Sequence, residues 1–388
     1  MKLLLLQDEI YLPSLAGGTK ANRYLLEGLA RNGHECLAVT PALTRSPDGP
    51  NNQMAFMQEL TTRGITFSAT EPHVFTYQYQ GVHVEAMNPL PPDISHDYVV
   101  RRIKKFQPDW ILVNEDKRRF MLEGALHAMP ERVLLLIQTI VQLPFGPLAV
   151  QASQKQTELM GQARAMIVIS RFLQEYIHEH SKLKPRLMPL PVYGEGPYPK
   201  LGRFDEGYVT MINPCELKGL SIFVALSKEH PDVEFAAVPT WGANEEIQSQ
   251  LEALPNVRIL KAADNIEEIL AQTKVLLVPS LWPETFGYVV PEAMLRGIPV
   301  IASNVGGLPE AKLGVDYVLP VVPAERHNNG YVSPSQDIKP WSKALGELLS
   351  DSEAYDRYSR QSQEAALKFV SGLSLNSFEE FLTELTLR

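Results

Sequence analysis

Glu284 and Glu292 bracket the stretch with the most chemistry in the chain, Glu284-Thr285-Phe286-Gly287-Tyr288-Val289-Val290-Pro291-Glu292. An ionised carboxylate accepts from a pair of vicinal hydroxyls through charge-assisted hydrogen bonds, which suits a ribose or a hexose. Between the two acids, the amides from Thr285 to Tyr288 run into a helical pattern. The N–H groups of a first helical turn have no intrahelical acceptor, so together with the positive end of the dipole they favour an anion such as a diphosphate. Gly287 lets the backbone approach closely. Pro291 agrees, since a missing N–H costs nothing in an opening turn, and it places the helix start near Gly287. The plain alternative is a capping Glu284 and a solvated Glu292.

Two α/β halves account for how such residues are held. The chain has 388 residues, 45% hydrophobic and 21% charged, enough apolar content for two cores. Short apolar runs alternate with helical patterns, as when helices cover both faces of a parallel sheet. Strands are expected at 2–6, 36–40, 110–113, 133–137 and 166–169, with helices at 19–31, 118–128 and 171–180. A cluster from Pro185 to Gly202 interrupts this order. A second series follows, with strands at 208–212, 233–238, 257–260, 275–279 and 299–302 and helices at 217–228, 245–253, 266–271 and 287–296. The chemical stretch therefore sits on a buried strand, the loop after it and a helix start. The domains read as 1–190, a linker at 191–202, 203–365, and terminal helices at 366–388. Two such halves place a ligand between the carboxyl ends of their strands.

The segment from Val275 to Glu310 resembles the E-x7-E signature of retaining glycosyltransferase family 4, matching at Glu284, Phe286, Gly287 and Glu292 and continuing through Gly297-Ile298-Pro299-Val300-Ile301-Ala302-Ser303 and Val305-Gly306-Gly307-Leu308-Pro309-Glu310. The resemblance implies a GT-B fold of two Rossmann-like domains and transfer of a sugar from a nucleotide diphosphate donor, with retention and without a metal. It assigns the donor hexose to Glu284, the diphosphate to the amides of Thr285, Phe286, Gly287 and Tyr288, and the ribose to Glu292. Asn213-Pro214-Cys215-Glu216-Leu217-Lys218-Gly219 resembles the family's phosphate-binding segment. Lys218 matches its lysine, and Asn213 stands where the family has an arginine. Gly17 and Gly18, between the first strand and first helix, resemble the family's glycine-rich loop. Gln138 falls where the family often has a histidine. Asn114, Gln138 and Phe145 are the candidates for the acceptor side, and the family likeness implies that a final helix near 377–387 returns to the amino-terminal domain.

Composition excludes several other classes. A net charge of −9 leaves no basic field for nucleic acid. Cys36 and Cys215 stand far apart without metal-ligand spacing, and there is no D-x-D, so neither a disulfide framework nor a metal is expected. The apolar start ends at Gln7-Asp8-Glu9, too short for a signal peptide, and no run of roughly 20 apolar residues follows. A cytoplasmic enzyme without a bound cofactor is expected, with peripheral membrane contact open, a nucleotide sugar as co-substrate and an acceptor not identified. The competing readings are a nucleotide-sugar epimerase and a non-catalytic sugar-nucleotide-binding protein.

Overall fold

The computed structural model describes residues 1–14, 16–44, 49–71, 73–114, 119–327 and 330–387. Leu15, next to the expected glycine loop, and residues 115–118, at the expected start of a helix, lie outside that set. The chain divides into a first unit, Met1–Val192 with Leu373–Arg388, and a second, Tyr193–Gly372. The divisions differ from those expected at 190 and 365. The helix Ser352–Ser371 runs unbroken through 365, and residues 201 and 202 donate backbone bonds to the Arg296 carbonyl, so the supposed linker joins the second unit.

The first unit is built on nine strands: β1 (Lys2–Gln7), β2 (Glu35–Pro41), β3 (Phe67–Glu71), β4 (Val74–Tyr79), β5 (Val82–Met87), β6 (Trp110–Asn114), β7 (Val133–Ile137), β8 (Ala165–Val168) and β9 (Arg186–Leu187). Their order is β3-β4-β5-β2-β1-β6-β7-β8-β9, and β4 alone runs against its neighbours. Leu3 to Leu6 of β1 are at most 1% exposed, covered on both faces, and each contributes roughly 1.5–3 kcal/mol of burial. The expected helix at 19–31 begins two residues earlier, at Gly17. The meander β3 to β5 was not anticipated. Its β4–β5 turn, Gln80-Gly81, has both residues left-handed (φ 48 and 81), a tight hairpin geometry. The helix Leu375–Leu387 packs on Gly17–Arg31: a Cβ at Gly28 would lie 2.7 Å from Leu375 Cδ1, and Glu379 bonds Asn32 and His34.

The second unit holds β10 (Tyr208–Ile212), β11 (Phe235–Val238), β12 (Val257–Ile259), β13 (Thr273–Val278), β14 (Val300–Ser303) and β15 (Val318–Leu319) in the all-parallel order β12-β11-β10-β13-β14-β15. A hairpin of β16 (Glu325–His327) and β17 (Gly330–Val332) follows. Order reverses beside β10 and β13, so the loops after these two strands lie together at their carboxyl ends, the usual place for a ligand in such a sheet. Two expected helices are shorter. The one at 217–228 is split by left-handed Gly219 into a turn, Glu216–Lys218, and a helix, Leu220–Glu229. The one at 287–296 spans Val289–Leu295, because Gly287 is left-handed (φ 93) and cannot continue it.

Candidate functional site

The loop after β10 carries Lys218 and the loop after β13 carries Glu284, and the structure brings the two into direct contact. The Lys218 Nζ donates to Glu284 Oε1, with the side chains 21% and 17% exposed. Backbone bonds fix this geometry. The amides of Leu281 and Trp282 both donate to the Leu217 carbonyl, at 2.9 and 3.0 Å, so one loop is stitched to the other a residue away from Lys218. Gly219 is pressed against the end of β13, where a Cβ would meet the Pro279 carbonyl oxygen at 2.0 Å, and its φ of +85 admits few other residues.

A second set of contacts aims Glu284. Ser280 Oγ lies 3.0 Å from Glu284 Oε1, and the Ser303 hydroxyl at the end of β14 donates to the Ser280 carbonyl at 2.6 Å. Gly307 N–H donates to the Glu284 carbonyl at 2.6 Å, and a Cβ on Gly306 would sit 2.3 Å from that same oxygen. The turn at 306–307 therefore presses directly on the backbone of the acid. Ser280 was not anticipated as a site residue: a lone serine after a strand carries no signal until its hydroxyl is seen beside Glu284.

The remaining donor candidates divide by role. Among the described residues, the amides of Phe286 and Gly287 make no hydrogen bond within the chain, which leaves them available to an anion. The Phe286 side chain is 2% exposed and packs with Tyr288 and Phe369, so it is a core anchor and only its backbone is open to a ligand. Tyr288 belongs to the same cluster, with Tyr193 at 6.1 Å, and burial pushes its phenol up. Pro291 is the third residue of the helix, where its missing N–H has no acceptor to lose. Glu292 is half-buried and its charge reaches the Tyr193 hydroxyl, which is itself pushed up chiefly by burial.

Asn213 adopts a left-handed φ of 59, which asparagine tolerates well, and its Oδ1 accepts the Gly242 amide at 2.9 Å. It therefore shapes the loop after β11 instead of supplying the missing positive charge. That loop presents Trp241, 50% exposed, with the Lys218 ammonium 5.9 Å from its ring. Trp241 also went unanticipated, since position 241 is far from Lys218 in sequence.

In the first unit, Gly17 and Gly18 are not a loop. They form the first two residues of the helix Gly17–Arg31, whose N-cap Ala16 offers no side-chain hydrogen bond. Asn114 and Gln138 line one cavity, and Gln138 Nε2 donates to Asn22 Oδ1. Phe145 is buried and does not line that cavity; its carbonyl accepts the Tyr176 hydroxyl at 3.2 Å. Both cysteines are buried free thiols, and burial pushes Cys36 up to about 12. Among the described residues no three His, Cys, Asp or Glu side chains form a metal-binding group, and no helix is long and apolar enough to cross a membrane.

Residues 218–365 match the family described as glycosyl transferases group 1. The alpha-1,3/1,6-mannosyltransferase alg-2 of Neurospora crassa is 34% identical over 107 residues, 27% of this chain and 20% of that protein. The chain spans only 20 to 37% of the length of three curated relatives that it matches. Among solved structures, sucrose-phosphate synthase from Thermosynechococcus elongatus superposes with a TM-score of 0.69 at 17% identity, covering 100% of this chain and 99% of that one. Anabaena Alr3699/HepE in complex with UDP-glucose gives 0.66 at 17% identity, covering 99% and 98%. The fold is therefore GT-B, two Rossmann-like domains.

Proposed function

We propose that this GT-B chain, with its glycosyl transferases group 1 match at residues 218–365, is a glycosyltransferase that moves a hexose from a nucleotide diphosphate sugar to an acceptor, with retention of configuration and without a metal. The observation that carries the reading is the meeting of Lys218 and Glu284 two and three residues from the amides of Phe286 and Gly287, which make no bond among the described residues. A cation and backbone donors in one place suit a diphosphate, and a carboxylate adjoining them suits the hexose attached to it. Glu292 takes the ribose in this reading.

The chemistry asks for stabilisation of negative charge on the departing diphosphate while the sugar acquires oxocarbenium character. Lys218 and the two amides supply preorganised donors at the leaving group, which is the charge balance a metal would otherwise provide. The acceptor hydroxyl attacks the anomeric carbon as the bond to the phosphate oxygen breaks, and that departing oxygen takes the hydroxyl proton. No histidine base is needed, which accords with Gln138. Trp241 adds an aromatic face beside Lys218, suited to the flat ring of a base or sugar.

The test is a transfer assay with UDP-glucose, GDP-mannose and ADP-glucose in EDTA, with the product anomer read by NMR. The expected result is metal-free transfer with retention. Conversion of the donor sugar without transfer would support epimerisation instead, and inverted product would refute retention.

A further inference from the structure

A cavity of about 50 Å³ opens in the first unit where β6 and β7 end. Its polar lining comes from Asn114, Gln138, Thr139, Gln142 and Gln156, and none of its lining residues is charged. Asn114 is 2% exposed. Its Nδ2 donates to the Leu136 carbonyl at 2.5 Å, which fixes the amide's orientation and leaves Oδ1 without a partner among the described residues. The Gln142 Nε2 on the next loop is likewise buried and unpartnered. Gln138 is held in place by a relay: its Nε2 donates to Asn22, whose Nδ2 donates to Gln7 Oε1 at 3.0 Å. A rigid amide wall therefore presents one acceptor and one donor that nothing among the described residues satisfies.

Unmade hydrogen bonds of buried groups are costly, and buried polar atoms in proteins are almost always paired with something. A hydroxyl carries what each of them lacks, a proton for Asn114 Oδ1 and a lone pair for Gln142 Nε2. A fully ionised phosphate or carboxylate fails here, because it has no proton to donate to Oδ1 and no lysine, arginine or histidine lines the cavity to offset its desolvation. We propose that this cavity holds a hydroxyl-bearing group of the acceptor and selects an uncharged polyol or saccharide over its phosphorylated counterpart. The assignment as acceptor rests on the transferase reading above, whereas the selection for neutral hydroxyls rests on the cavity alone.

The experiment uses the full chain and two separate readouts. Thermal shift with UDP-glucose, GDP-mannose and ADP-glucose tests the donor side. Saturation-transfer NMR then compares methyl α-glucoside, N-acetylglucosamine and myo-inositol with glucose 6-phosphate and inositol 1-phosphate. The expected result is a signal from at least one neutral probe, little from the phosphates, and about tenfold weaker binding in Gln142→Leu, a half-buried loop position whose melting temperature is checked alongside. Gln142→Glu, which swaps the donor for an acceptor, gives the same loss. Preference for the phosphates, absence of any neutral signal because water alone fills the space, or undiminished binding in both variants overturns the selection. Neutral binding without any donor shift removes the acceptor assignment and the transferase reading while leaving the cavity's selectivity standing.

Discussion

Replacing Glu284 with glutamine should strengthen the binding of a bare nucleoside diphosphate while weakening catalysis on the nucleotide sugar. The Lys218 ammonium is paired with the Glu284 carboxylate, so a diphosphate must compete for it. At contact distance and an effective dielectric near 20 the pair attracts by about 4 kcal/mol, and the cost of holding two charges partly out of water offsets much of that. Side chains 21% and 17% exposed lie between the exposed-pair and buried-pair cases, giving a net of about 1–2 kcal/mol. Glu284→Gln removes that competition and should tighten UDP by about 5–30-fold, with a steeper loss of affinity in added salt. The same change removes a charge-assisted bond to the hexose, so turnover with UDP-glucose should fall by about 100-fold. Titration calorimetry with UDP at two ionic strengths, beside a transfer assay, reads both halves. Weaker UDP binding in the variant would refute the competition.

The other expected outcomes concern the frame around this pair. Ser280→Ala removes the hydroxyl beside Glu284 and should lower kcat about tenfold with a loss of about 1 kcal/mol in urea unfolding. Gly306→Ala forces a Cβ to 2.3 Å from the Glu284 carbonyl oxygen and should abolish activity while the chain stays folded by circular dichroism. Lys312 is 1% exposed, its Nζ donates to the Val300 carbonyl at 2.5 Å, and burial lowers it from 10.5 to about 7. The unfolded chain binds that proton more tightly, so stability is lost as pH falls from about 10.5 to about 7. Lys312→Met should therefore raise the melting temperature at pH 7, with the gain shrinking by pH 9.5; an equal gain at both pH values would contradict the assignment.

What the sequence discloses here tracks how local each cause is. Val275 to Leu277, apolar and followed by proline and glycine, reads as buried strand, loop and helix start, and the structure has those elements in that order. The loss of two residues from the front of that helix follows from Gly287 at positive φ, which favours a turn over a helical residue. Contacts across long separations were not legible. Lys218 and Glu284 are 66 residues apart, and their pairing depends on β10 lying beside β13. Gly306 and Gly307 resemble a family continuation in sequence, yet their work, pressing on the Glu284 backbone, appears only once β14 is placed next to β13. The meander from Phe67 to Met87 is not legible because Thr76, His83 and Glu85 interrupt its apolar residues, although most of β4 and β5 is buried. The burial of the Phe286 side chain is not legible either, since the motif gives a part only to its amide.

In the proposed transferase, the loops after β10 and β13 bind the donor through Lys218, Glu284 and Glu292. The most direct test of this claim is a thermal-shift screen of nucleotide diphosphate sugars on the wild-type chain and on Lys218→Ala and Glu292→Ala, since a ligand bound only by the folded state raises its apparent stability. The expected result is a rise of several degrees with at least one donor at 1 mM, roughly what about 100-fold saturation gives, and its loss in both variants. Absence of any shift in the wild type, or an undiminished shift in both variants, would contradict the claim.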